Sequence, residues 1–230
     1  MELFIVRHGQ SGNNALSAPT GRDRDPALTP AGEQQAARVG PFIAAGSHLD
    51  RTERDGRPYL DFLYCSPMIR ALQTAQPIGA ALGLNPEVWV DIHEQGGIFL
   101  DHGGDTGHVG YPGQTRSQIR ERFPDYVLPD QIGEDGWWNK GFEEVHQCHG
   151  RAMAAAQALR RCAGEGSRLG VVTHGGFTNS LIKALWHELP GDGFAYEHRN
   201  TAITRIDVGT ERLVVRYMNR VEHLPEALIT

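Results

Sequence analysis

An α/β fold, a three-layer α/β/α sandwich with a mostly parallel central sheet, is what this sequence predicts, and three observations predict it. Short continuous apolar runs at Leu3 to Val6, Phe62 to Cys65 and Leu169 to Val172 read as strands covered on both faces. Helix-forming stretches opened by capping signals separate these runs. A chain of 230 residues with 40% hydrophobic content is also long enough to bury one substantial core, so a single domain over residues 1–230 is expected.

The elements follow in order. "LFIV" gives the first strand, and "LTPAGEQQAARVGPFIAA" gives a helix with Thr29 as N-cap and Pro30 at its first position. "DRTERDGRP", from Asp50 to Pro58, is expected to be a polar surface insertion without chemistry. "FLYC" is the second strand, and "SPMIRALQTAQPIGAALG" repeats the capping device with Ser66 and Pro67. There Leu72, Ala75, Ile78 and Leu82 share a face, and Pro77 is expected to kink or interrupt the helix. "VWVDI", Val88 to Ile92, reads as a further strand. A helix should cover Glu143 to Cys162, where "RAMAAAQALRRC" is rich in strong helix formers. After "LGVV" a helix opens at Gly175, and "ITRIDVG" and "LVVRYM" flank a turn as a closing strand pair.

One stretch breaks the alternation. Residues 96–140 combine many Gly, Asp and Pro with Phe123, Tyr126, Trp137 and Trp138, a composition that linkers lack. Thr115 and Gln118 form a capping box for a short helix that Pro124 stops after Phe123. The stretch reads as an ordered excursion covering one end of the sheet.

A formal charge of −6 offers no basic stripe for nucleic acid, and no apolar run approaches a bilayer span. Three cysteines, Cys65, Cys148 and Cys162, make an odd count without framework spacing. Reduced thiols, a cytoplasmic location, and neither nucleic-acid nor membrane partners are therefore expected.

The chemistry-bearing residues stand where the strands end. In open parallel sheets ligands bind beyond the carboxyl ends of the strands. Here those ends carry Arg7-His8-Gly9, Ser66-Pro67 with Arg70 one turn on, His93-Glu94, and His174-Gly175-Gly176. Paired guanidiniums match the oxygens of a phosphoryl dianion, and glycines at a helix start offer it N–H groups. Arg70 adds a hint, since a cation in a first helical turn opposes the macrodipole unless an anion lies nearby.

In order and spacing "FIVRHGQSGNN", "LYCSPMIRALQTA", "HEQGG" and "VVTHGG" resemble the histidine phosphatase superfamily, in its phosphoglycerate-mutase-like branch, from Glu2 to about Trp186. The resemblance implies a metal-independent phosphohistidine mechanism. His8 would be the nucleophile, Arg7, Arg70 and His174 would bind the transferred group, and Glu94 would be the proton donor. Asn14 would be a further pocket ligand, Ser11 and Gly175 weaker matches, and Gly21 a position on a substrate-side loop. The excursion would shape the leaving-group pocket, with Tyr111, Arg116, Trp137 and Trp138 as substrate contacts or, for the aromatics, as anchors to the core.

The implied activity is hydrolysis of a small phosphorylated metabolite with no cofactor. "DIHEQGGIFLDHGG" departs from the "NERHYG"-like stretch of the true mutases, which would use 2,3-bisphosphoglycerate. The oligomeric state stays open. Three rivals are weaker. A cysteine phosphatase loop needs five residues between Cys and Arg, whereas only four separate Cys65 from Arg70. The crowded His146, Cys148 and His149 match no standard zinc spacing. A non-catalytic phospholigand-binding module would be expected to lack one of the core positions, all of which are filled here.

Overall fold

The computed structural model describes residues 1–18, 20–163, 166–188, 191 and 193–230. In chain order its regular elements are β1 (Glu2–Arg7), α1 (Gly12–Ala15), α2 (Pro30–Ala44), β2 (Phe62–Cys65), α3 (Ile69–Leu82), β3 (Glu87–Val88), β4 (Phe99–Asp101), β5 (His108–Gly110), α4 (Arg116–Arg122), α5 (Val145–Arg161), β6 (Arg168–Thr173), α6 (Gly175–Trp186), β7 (Ile203–Val208) and β8 (Leu213–Arg220).

Six strands form the main sheet in the order β3-β2-β6-β1-β7-β8. The first four are mutually parallel, whereas β7 runs antiparallel to both β1 and β8. Alternation along β1 divides the core. Phe4 and Val6 join Val39 and Ile43 of α2 and Leu72 and Ile78 of α3 on one face. Leu3 and Ile5 join Ala152 and Leu159 of α5 and Phe177 and Leu181 of α6 on the other. The result is the expected three-layer arrangement.

Four expectations need correction. Met68, not Ser66, is the N-cap of α3: Met68 itself is extended, the chain bends at Pro67 and Met68, and the Ser66 hydroxyl accepts from the Met68 N–H at 3.3 Å outside the helix. Pro77 does not interrupt α3, which runs unbroken to Leu82. α2 likewise contains Pro41, and the two helices meet where a Cβ on Gly40 would lie 2.5 Å from the Pro77 carbonyl oxygen. The strand expected over Val88 to Ile92 shrinks to Glu87–Val88. Beyond it Ile92 and His93 donate to the carbonyls of Trp89 and Val90, winding the chain into a 3-10 turn.

The polar segment from Asp50 to Pro58 also proves to be structural. Glu53 receives two hydrogen bonds from Arg205 (2.6 and 2.8 Å), and the Glu53 and Pro58 carbonyls accept from Arg168. Both arginines are buried, so the segment satisfies charges that the sheet would otherwise strand.

The excursion is ordered, as expected. β4 and β5 form a hairpin, and α4 carries the Thr115–Gln118 capping box. Ile119, Phe123, Tyr126, Ile132, Trp137 and Trp138 are all buried with the α2/α3 core, and the Tyr126 hydroxyl donates to the Leu72 carbonyl at 2.6 Å.

Candidate active site

β1 and β6 end side by side, with Arg7 in register with Thr173, and this pairing delivers His8 and His174 to one place. Both imidazoles are buried, with ring centroids 5.0 Å apart. Leaving the strand requires Gly9: a Cβ there would come within 2.6 Å of the Gly32 carbonyl oxygen at the start of α2.

His8 has a defined tautomer. Its Nδ1 donates to the Gly9 carbonyl at 2.6 Å, so Nε2 is the unprotonated nitrogen, and it accepts from Arg70 Nε at 3.2 Å. Burial, and then the Arg70 and Arg7 guanidiniums, hold its pKa well below the usual histidine value. A neutral imidazole with an aimed lone pair is the form a phosphorus nucleophile needs.

The cations come from two directions. Arg70, in the first turn of α3, is buried, donates to Met68 Sδ and lies 3.5 Å from Asp25. Asp25 resolves the oddity of a cation at a helix start. Its carboxylate accepts from the N–H of Ile69, capping α3 from a distant segment, and burial raises its pKa to about 6 despite Arg70. Arg7 donates to the His198 carbonyl, and its buried Nε has no partner. Gly175 lies against that guanidinium, since a Cβ there would be 3.4 Å from Nε.

His174 shares a 2.7 Å hydrogen bond between its Nε2 and the Ser66 hydroxyl, while Nδ1 is buried and unpartnered. Burial, then Arg70 and His8, push its pKa well below the usual value. With the Ser66 hydroxyl donating to Nε2, Nδ1 would carry the proton. The site then has two unused buried donors, His174 Nδ1 and Arg7 Nε, and unmet capacity of this kind belongs where a ligand is bound.

Glu94 sits at the start of α6. Its carboxylate accepts from the N–H groups of Gln95 (3.0 Å), Gly176 (3.1 Å) and Phe177 (2.8 Å). Gly176 has to be glycine there, because a Cβ would fall 2.8 Å from Glu94 Oε1.

The remaining expected residues divide. Ser11 is buried, and Asn14 Oδ1 accepts from both its N–H and its hydroxyl. Asn200, which the sequence reading missed, donates to the His8 carbonyl at 2.9 Å and reaches Asn14 Oδ1 at 3.4 Å, joining the two ends of this loop. Gly21 has a positive φ of 79° on an exposed loop, and with Arg22, Arg24, Leu100 and Tyr111 it lines an open cleft of about 400 Å³. Tyr111 faces this loop, with its ring 5.2 Å from the Arg24 guanidinium and its hydroxyl 2.8 Å from His102 Nε2.

Arg116, Trp137 and Trp138 are placed differently from the substrate-contact expectation. Arg116 is engaged by the carbonyls of Leu128, Pro129 and Ile132. The two tryptophans are buried against His93, with ring centroids 5.4 and 4.9 Å away, and Trp138 Nε1 donates to the Gly141 carbonyl. All three hold the excursion in place.

Cys65 is buried and its thiol pKa is raised by that burial, which leaves it inert. Cys148 is buried on α5, and among the described residues no three His, Cys, Asp or Glu side chains are grouped to hold a metal ion. Among those residues, too, no helix is long and apolar enough to cross a membrane.

A neutral histidine flanked by the Arg7 and Arg70 guanidiniums, at the carboxyl edge of an α/β sheet, defines a protein built to handle phosphoryl groups. Residues 3–221 match the sequence profile described as "Histidine phosphatase superfamily (branch 1)", and the chain belongs to that family of phosphatases and mutases. Phosphoglycerate mutase-like protein 4 of Arabidopsis thaliana is 30% identical over 183 residues, covering 79% of this chain and 70% of the relative. A broad-specificity phosphatase of Saccharomyces cerevisiae is 22% identical, covering 97% and 87%. Among solved structures, phosphoserine phosphatase from Entamoeba histolytica superimposes with a TM-score of 0.59 at 20% identity, covering 97% of this chain and 99% of that one. A mycobacterial glucosyl-3-phosphoglycerate phosphatase does so with a TM-score of 0.56 at 19% identity, covering 96% and 99%. At these identities the structures speak for the fold alone.

Proposed function

We propose that this protein hydrolyses a phosphomonoester of a small metabolite through a phosphohistidine at His8. The observation that carries the reading is the His8 tautomer, with Nδ1–H fixed on the Gly9 carbonyl and the Nε2 lone pair turned toward Arg70. In the first step Nε2 attacks phosphorus as the bond to the leaving oxygen breaks. Arg7, Arg70 and His174 hold the non-bridging oxygens, with Asn14 and Gly175 at the edge of that pocket.

Glu94 supplies the proton that the departing alkoxide requires. In the second step the ionised carboxylate takes a proton from water as water attacks the phosphorus of phospho-His8. His8 is regenerated and inorganic phosphate is released. None of these steps calls on a cofactor.

Clefts along the Gly21 loop, which the family resemblance puts on the substrate side, support a small-molecule substrate. The one lined by Gly21, Arg22 and Tyr111 adjoins a second of about 750 Å³ between the same loop and the β4–β5 hairpin, and such volumes suit a metabolite. A mutase would share the first step and pass the phosphoryl group to a second sugar-acid hydroxyl.

Two measurements test this reading. Incubation with an aryl phosphate should leave acid-labile, alkali-stable phosphoprotein. In His8→Ala the label should vanish and turnover should fall by a factor on the order of 10³ or more; full labelling of that variant would exclude His8 as nucleophile. A panel of phosphorylated metabolites should release phosphate with or without 2,3-bisphosphoglycerate, whereas isomerisation stimulated by that compound would identify a mutase. No turnover of any member would favour a binding module.

A further inference from the structure

Arg151, on α5, belongs to no motif that marks the site, yet its guanidinium is shared between the backbone just before Glu94 and the Glu143 carboxylate. Its Nη1 donates to the carbonyls of Asp91 (2.8 Å) and His93 (2.9 Å), just before the acid. Its Nε and Nη2 donate to the two oxygens of Glu143 (2.8 and 2.6 Å), and the Glu143 N–H donates to the Gly96 carbonyl just after the acid. The guanidinium carbon lies 4.5 Å from the centroid of the Phe177 ring, and Phe177 supplies one of the N–H groups that hold the Glu94 carboxylate. The pair is buried, with side chains 9% and 7% exposed.

We propose that Arg151 and Glu143 are positioning residues for the proton-transfer step: Arg151, held by the Glu143 carboxylate, fixes the carbonyls just before Glu94 and packs on the end of α6 that holds the carboxylate, while the Glu143 main chain meets the flank just after it. The inference rests on the reading of Glu94 as general acid and base. Burying such a pair costs more desolvation than an apolar pair of similar volume, so stability alone is a weak reason for it. Its hydrogen bonds to carbonyls on either side of one carboxylate supply a stronger reason, because small displacements of a reacting group are expensive. The surroundings keep the pair charged. Burial raises the Glu143 pKa, but the hydrogen bonds from Arg151 outweigh it and hold the carboxyl at about 2. His93, its pKa lowered by burial, donates Nδ1–H to the Val90 carbonyl at 2.7 Å.

The test is a series of phosphate esters of graded leaving-group pKa, from nitrophenyl phosphate to an alkyl phosphate, with kcat/KM plotted against that pKa. Glu94→Gln should steepen the plot, since poor leaving groups need the proton most. Arg151→Met should steepen it in the same sense, losing about tenfold or more on the alkyl ester and less than about twofold on nitrophenyl phosphate. Arg151→Lys should recover part of that loss. A parallel downward shift for every ester, or no change, would overturn the proposal and leave the pair a structural one. If Glu94→Gln itself gives a parallel shift, the general-acid reading fails, whatever Arg151 does. Should Arg151→Met not fold because Glu143 is left unpaired, Arg151→Lys and the double variant Glu143→Gln with Arg151→Met decide on the same plot.

Discussion

The phosphate end of the site and the excursion from Gly96 to Lys140 differ in what fixes their side chains. At the phosphate end, strands in strict register bring Arg7, His8 and His174 together; His8 Nε2 meets Arg70, and Arg7 Nε and His174 Nδ1 have no partner among the described residues. In the excursion, Arg116, Trp137 and Trp138 spend their polar and apolar capacity on holding the segment to the core. A residue with unused buried capacity is available to a ligand, whereas one whose capacity is consumed locally is part of the wall. Tyr111 lies between these cases: half-buried beside the Gly21 loop, with its hydroxyl on an exposed His102, it is the excursion residue we propose for contact with substrate.

The largest expected effect that would break this contrast is at Arg70. Lysine cannot serve His8 and Asp25 together as the guanidinium does, so Arg70→Lys should lower kcat/KM by about 10² with thermal stability nearly intact. A loss of only a few-fold would mean that the guanidinium fork is not used. Trp138→Ala should behave in the opposite way, costing roughly 3–5 kcal/mol in urea unfolding while the molecules that remain folded keep their KM. A changed KM at unchanged stability would restore Trp138 as a substrate contact.

Acid offers a finer comparison. Buried His174 stays neutral in the folded protein while the unfolded chain takes up a proton near pH 6.5. Its contribution to stability is therefore full above that value and is lost as pH falls toward the depressed folded pKa. Asp25 acts in the opposite sense, because its folded pKa of about 6 lies above the usual 3.8: its contribution is full below 3.8 and is lost as pH rises through 6. In His174→Asn the loss of stability between pH 6.5 and 5 should flatten by up to about 1.4 kcal/mol per pH unit in urea titrations. The smallest effect belongs to Tyr111→Phe, which removes one half-buried hydrogen bond and should change stability by about 0.5–1.5 kcal/mol at most. Its mark should be a shifted KM among substrates of different leaving group.

Short-range signals carried most of the fold and the centre of the site. Apolar runs located every long strand of the main sheet, capping boxes and N-terminal prolines located α2 and α4, and "RHG" and "THGG" placed both histidines. The sequence reading missed partnerships made across the chain. Ser66 passes for an N-cap until its hydroxyl meets His174, 108 residues away, and Asn200 has no local signal because its partner is the His8 carbonyl, 192 residues distant. Asp25 hides in the polar run "GRDRDP", although it caps α3 and pairs with Arg70. The Val88 to Ile92 strand was overcalled because the apolar pattern of a short strand and that of a 3-10 turn are the same over five residues. Turn hydrogen bonds, invisible to composition, decided between them.

The strand order has a consequence for how the molecule comes into being. β1, made before both of its partners β6 and β7, cannot close its ladder until they follow, so Glu2 waits for Arg168 and Asp207. Contacts of such sequence separation form late and slowly, because the loop must be closed before any pairing rewards it. A chain emerging from the ribosome therefore carries His8 long before it has His174 beside it or Asn200 on its carbonyl. Reactivity toward phosphate esters should switch on only when the last strands dock, so that appearance of phosphohistidine during refolding would report completion of the fold itself.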